Sequence, residues 1–127
     1  NAKKYTVLIV DDDEFLLEMY SLKFKEEGFA VEIADSGRTA FEKIESANPD
    51  IVLLDVILPE MDGFSILQKI RQDKKLGAPL VIMLTNLSQK DDTARGMRLG
   101  ADDYIVKAHF TPSEVVEKVR KLLAKHT

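Results

Sequence analysis

Five polar residues stand where the apolar runs of this chain stop. Asp11 and Asp12 follow YTVLIV, Asp55 follows IVLL, Thr85 follows LVIML and Lys107 follows DYIV. Three carboxylates brought together raise one another's pKa and cost energy unless a cation compensates. Magnesium suits such a set, being a hard ion held by one or two carboxylates, backbone oxygens, waters and phosphate oxygens. With phosphate present, Lys107 supplies a point charge and Thr85 a hydroxyl donor to its oxygens. The chemistry these residue types imply is a phosphoryl group carried on an aspartate.

The elements between them must bring these residues together. Tyr5 to Val10 reads as a first strand, apolar enough to be covered on both faces. A helical pattern follows, with Phe15, Leu16, Met19, Tyr20, Leu22 and Phe24 at three- and four-residue steps, stopped by Gly28. Phe29 to Ala34 is a second strand, and Ser36 caps a helix reaching Ala47 with Ala40, Phe41 and Ile44 inward. Ile51 to Leu54 is too short for a helix and β-branched enough for a buried strand. Pro59 and Asp62-Gly63 then force a turn, leaving Asp55 on a rigid support beside a loop. Phe64, Ile66, Leu67 and Ile70 mark a third helix that frays into Arg71-Gln72-Asp73-Lys74-Lys75. Leu80 to Leu84 is a fourth strand, Gln89 to Leu99 a polar helix, and Asp103 to Val106 a fifth strand. Thr111-Pro112-Ser113-Glu114 opens the last helix as a capping box, with Val115, Val116, Val119, Leu122 and Leu123 inward.

Short apolar strands alternating with helices predict an α/β fold, a doubly wound five-stranded parallel sheet with helices on both faces. All strand carboxyl ends then share one rim, where open α/β sheets place their chemistry, and the five polar residues meet there. At 127 residues the chain is read as one domain, residues 1–127, without a linker or low-complexity run. A formal net charge of -4 argues against a direct nucleic-acid or membrane-surface binder. No cysteine is present, which excludes disulfides and thiolate metal sites. No apolar run reaches membrane-spanning length and no signal-peptide pattern opens the chain, so the expected location is cytoplasmic. Asn1-Ala2 lacks an initiator methionine, which fits a piece cut from a longer protein.

The acidic pair Asp11-Asp12, Asp55 within VLLDVILPEMDGF, Thr85 after LVIML and Lys107 after GADDYIV occur in order, each at a strand end. In this the chain resembles a response-regulator receiver domain over essentially its whole length. The resemblance implies a flavodoxin-like (βα)5 fold with strand order 2-1-3-4-5, as in the chemotaxis regulator of that family. It implies that Asp55 is the phosphoacceptor, a carboxylate nucleophile that forms an acyl phosphate. Asp12 would bind magnesium directly, Asp11 nearby or through water, and the backbone carbonyl of Ile57 would add a ligand beside Asp55. Thr85 and Tyr104 would form the switch, altering a face that carries Arg95, Arg98, Asp102, Asp103, Lys118 and Arg120. The implied partners are a sensor histidine kinase or phosphotransfer protein upstream and an effector downstream. The resemblance makes the chain a catalyst of its own phosphorylation and slow dephosphorylation, not an ordinary enzyme. Pairing of two copies on phosphorylation stays open.

Other readings stand beside this one. Asp13 and Asp62 read as helix-start and turn residues, not ligands. Tyr104 reads equally as boundary packing. Met61, Met83 and Met97 read as gap-fillers, and His109 and His126 lack a second ligand at metal spacing. A haloacid-dehalogenase-like phosphatase would need a second aspartate where Ile57 stands. A P-loop protein would need a glycine-rich phosphate loop, which is missing. A receiver that only scaffolds a partner would have lost an acid, Thr85 or Lys107, and none is lost. Ala108 follows Lys107 where many family members have proline, and the conformation of that peptide stays open. Asn86 is bulkier than its usual family counterparts. With Ile57 and Leu87 flanking the site, it is expected to hinder an attacking water and slow phosphate loss.

Overall fold

The computed structural model describes residues 4–87 and 89–126; Asn1 and Ala2 lie outside them. Five strands, β1 (Thr6–Val10), β2 (Ala30–Ala34), β3 (Ile51–Leu54), β4 (Leu80–Thr85) and β5 (Asp103–Val106), form one parallel sheet in the order 2-1-3-4-5. The helices are α1 (Glu14–Glu26), α2 (Gly37–Ala47), α3 (Gly63–Gln72), α4 (Lys90–Arg98) and α5 (Pro112–Lys125). Side chains alternate across each strand, so the apolar strands serve two cores. Leu8, Val10, Val52, Leu54, Val81 and Met83 meet Ala40, Ile44, Phe64, Ile66 and Leu67 on one face. On the other, Val7, Ile9, Leu53, Ile82 and Leu84 meet Leu17, Tyr20 and Phe24 of α1 and Val115, Val116 and Val119 of α5.

Register carries the site. Val10 pairs with Leu54, Leu54 with Met83, and Thr85 with Val106. The next residues of β1, β3 and β5 therefore leave the sheet together at its carboxyl edge. The Asp11 amide still donates to the Ala34 carbonyl at 3.0 Å, and the Asp55 amide to the Val10 carbonyl at 3.1 Å. Both acids thus emerge from a ladder that holds their backbones. Helix starts follow the expected caps: Asp13 accepts from the Phe15 and Leu16 amides, Ser36 from Thr39, Asp62 from Ser65, and Thr111 with Glu114 closes a full capping box.

Three expectations need correction. α1 turns Leu17, Tyr20 and Phe24 inward while Phe15 and Leu22 are exposed. The helix is apolar around most of its circumference, so spacing alone does not pick the buried stripe; contact with the sheet and α5 does. The segment after α3 does not fray. Asp73 accepts from the Lys75 amide and caps a short 3-10 turn whose Leu76 is buried. Of the three methionines expected to fill gaps, Met83 fills the core while Met61 and Met97 are exposed. Every peptide bond among the described residues is trans, Lys107–Ala108 included.

Candidate functional site

β1 ends at Val10, and the next turn puts Asp11 and Asp12 on opposite terms with solvent: Asp11 is buried and Asp12 exposed. Asp11 Oδ1 accepts the Asp13 amide at 2.9 Å, which orients its carboxylate, and Oδ2 accepts the Lys107 ammonium at 2.5 Å. Asp55, only 7% exposed, accepts the Ile57 amide on Oδ1 at 3.3 Å and the same ammonium on Oδ2 at 2.9 Å. Lys107 leaves the end of β5 and reaches both acids with its own side chain buried. One ammonium therefore serves two buried carboxylates, and Asp12 adds a third negative charge with no ion pair among the described residues.

Single carboxylate oxygens, one each from Asp11, Asp12 and Asp55, lie within 4.8 Å of one another. That is a donor set of hard oxygens converging on one point with more negative charge than Lys107 balances, which fits a hard divalent cation. Burial pushes the Asp11 carboxyl above the usual carboxylate range, partly offset by hydrogen bonds from Lys107 and the Asp13 amide. For Lys107 burial acts downward, but hydrogen bonds to Asp11 and Asp55 outweigh it and hold the ammonium above its ordinary range.

The cleft encloses about 200 Å³ and is lined by Asp11, Asp12, Asp13, Leu16, Asp55, Ile57, Thr85, Asn86 and Lys107. It therefore brings together Asp11, Asp12, Asp55, Thr85 and Lys107, while Tyr104 stays outside the lining. Asp13 is spent capping α1 and Asp62 capping α3. Ile57 and Asn86 stand at the mouth, both exposed, while Leu87 is not in the lining. Its backbone does something else. The Leu87 amide donates to Thr85 Oγ1 at 3.4 Å, and its carbonyl accepts the Tyr104 hydroxyl at 2.9 Å. One peptide segment thus joins the two expected switch residues, and the sequence held no signal for this because backbone partners leave no residue signature.

Gly63 closes the expected turn and has a second reason to be glycine. A Cβ added there would stand 2.1 Å from the Asp55 carbonyl oxygen. The surface next to the site also differs from expectation. Asp102 is drawn away to Arg71 and the Val81 amide, and Arg120 pairs with Glu27 on the α1 side. Arg95 stacks on Phe64 at 4.6 Å, and Asp103 meets Lys118 at 3.8 Å. His109 and His126 are exposed, away from the acids.

A parallel 2-1-3-4-5 sheet with acids, threonine and lysine at one edge defines a class of signalling domain. The response regulator receiver domain family matches residues 7–120, and the chain belongs to that family. DNA-binding response regulator MtrA of Mycobacterium tuberculosis is 39% identical over 126 residues, covering 99% of this chain and 54% of that protein. Alkaline phosphatase synthesis transcriptional regulatory protein PhoP of Bacillus subtilis is 38% identical over 117 residues, covering 92% of this chain and 48% of that protein. The chain spans about half the length of these relatives. A CheY-like response regulator receiver domain protein from Methanospirillum hungatei superposes with a TM-score of 0.87 at 31% identity, covering 97% of this chain and 96% of that one.

Proposed function

We propose that this receiver domain, residues 1–127 acting as one module, takes a phosphoryl group from a phosphohistidine onto Asp55. The observation that carries the reading is Lys107, whose ammonium bridges Asp11 and Asp55 inside the acidic cleft. In the transfer, an Asp55 carboxylate oxygen attacks phosphorus as the phosphorus–nitrogen bond breaks. The electron pair leaves on the imidazole. Little covalent work falls to the protein, so catalysis is positioning and charge neutralisation. Lys107 is positioned to follow the negative charge from carboxylate to acyl phosphate. Asp11, Asp12 and Asp55, with the Ile57 carbonyl, would hold a magnesium ion, which when bound supplies positive charge to the phosphoryl oxygens.

The output runs through Leu87. A phosphoryl group offers strong acceptor oxygens, and Thr85 is positioned to exchange its long bond to the Leu87 amide for one of them. That move disturbs the carbonyl that holds the Tyr104 hydroxyl, and with it the start of α4. The donor is a sensor histidine kinase or phosphotransfer protein, and the effector is a partner or a further domain of the same protein. Two relatives are named as DNA-binding or transcriptional regulators, which supports control of transcription as the regulated process. The acidic receiver itself would make no nucleic-acid contact. We place the exchange in the cytoplasm; among the described residues no helix is long and apolar enough to cross a membrane.

Intact mass after incubation with acetyl phosphate and magnesium tests the reading, with Asp55→Ala alongside. A phosphate-sized gain in the wild type alone, abolished by a chelator, supports it. No gain in either moves the reading to a scaffold, and a gain in both means another residue is the acceptor.

A further inference from the structure

Arg71, next to the end of α3, spends its guanidinium on three residues in two other stretches of chain. Nε donates to the Gly100 carbonyl at 2.9 Å, Nη1 to the Pro79 carbonyl at 2.8 Å, and Nη2 to Asp102 Oδ2 at 3.0 Å. Asp102 Oδ2 also accepts the Val81 amide at 2.8 Å, and the Asp102 amide donates to the Val81 carbonyl at 2.7 Å. The end of α3, the start of β4 and the α4–β5 connection are thereby locked together at the amino edge of the sheet, opposite the acidic cleft. Gly100 makes the approach possible: its φ is +106°, and an added Cβ would lie 3.1 Å from Arg71 Cγ.

The other end of α4 is held differently. Gln89 gives the first turn no side-chain cap, and Gly96 is the only buried residue of the helix. The Tyr104 ring lies against Gly96, where an added Cβ would meet it at 3.3 Å. Ahead of the helix, Leu87 is tied to Thr85 and Tyr104 by one hydrogen bond each. Among the described residues the helix is thus held by a charge-assisted, three-way fork just past its carboxyl end, by two single bonds ahead of its amino end, and between them by Arg95 stacked on Phe64.

We propose that the Arg71–Asp102–Gly100 cluster is the fulcrum of α4, so that a change at Leu87 swings the amino end of the helix about a fixed carboxyl end. Only what drives the swing rests on the function proposed above; the fulcrum belongs to the unphosphorylated chain, where it is tested without any phosphoryl donor.

Residue-resolved amide hydrogen exchange on the whole chain reads it directly, because local opening is distinguished from global unfolding. In the wild type the Thr93 and Ala94 amides should exchange at least about tenfold faster than those of Leu99 and Ala101. Arg71→Gln should speed Leu99, Gly100 and Ala101 by about tenfold while β1 and α5 keep their protection. Arg71→Lys keeps the charge without the fork and should do the same; it carries the test alone should Arg71→Gln not fold. Even exchange along α4 in the wild type would overturn the fulcrum. So would unchanged Leu99 and Ala101 in the variants, or faster exchange throughout the chain, which would make Arg71 a general stabiliser.

Discussion

Gly63 and Asp55 touch through their backbones. A Cβ on Gly63 would stand 2.1 Å from the Asp55 carbonyl oxygen and 2.8 Å from Val56 Cα, and the Gly63 amide donates to the Val56 carbonyl at 2.7 Å. α3 therefore begins directly beneath the loop that supports Asp55 and Ile57. Backbone atoms cannot swing aside as a flexible side chain can, so Gly63→Ala should force the loop away from the sheet. The expected cost is about 3 kcal/mol or more of folding stability, together with weaker divalent binding. A urea titration showing less than about 1 kcal/mol of loss would mean that the loop absorbs the methyl group.

Asp11 tests the charge surplus of the cleft. Burial raises its carboxyl above the ordinary range, and the charge of Asp55 adds to this. A folded-state value above the unfolded one means that folding favours the protonated form. The stability linked to this proton is complete below the unfolded pKa and is lost as pH rises through the folded one. At neutral pH and without divalent ions, Asp11→Asn should therefore raise the melting midpoint by a few degrees, while added magnesium should stabilise the variant less than the wild type. A lower midpoint in Asp11→Asn would show that its bond to Lys107 outweighs the desolvation of the carboxylate.

Tyr104 gives a spectroscopic reading of the proposed switch. Burial, then the charges of Asp92 and Asp55, push its hydroxyl from an ordinary 10.0 up to about 12. The sign is that of a raised group: its contribution to stability is intact below pH 10 and fades as pH climbs toward 12. The phenolate absorbance missing from Tyr104→Phe, relative to the wild type, should appear near pH 12. An increment centred near 10 would place the hydroxyl in open solvent.

On the function proposed above, phosphoryl lifetime should depend on the mouth of the cleft. Ile57 is 59% exposed and stands there with Asn86, where an in-line water would have to approach the acyl phosphate. Trimming both, as Ile57→Ala with Asn86→Gly, should speed phosphate loss several-fold, because the water shield is thinner. Decay followed by intact mass checks this, and an unchanged half-life would mean that the two side chains leave the water path open.

Much of this architecture is legible from residue order alone, and the reason is local. Apolar runs bounded by capping residues give strands and helices from short-range chemistry, as Thr111 with Glu114 and Ser36 with Thr39 show. A parallel sheet then has one carboxyl edge, so residues that end strands must converge, and Asp11, Asp12, Asp55, Thr85 and Lys107 do. Side-chain identity and position along a strand were enough.

Tertiary structure decided what depends on contacts between distant segments. Phe15 and Leu17 are both apolar neighbours on α1, yet one faces solvent and the other the core, because the packing partner selects the stripe. The charged run from Arg71 suggests a fraying end, yet Arg71 is bonded to Pro79, Gly100 and Asp102. Leu87 joins Thr85 to Tyr104 through backbone atoms that every residue carries. Such partners are set by register and close approach in three dimensions, and they leave no mark on residue type.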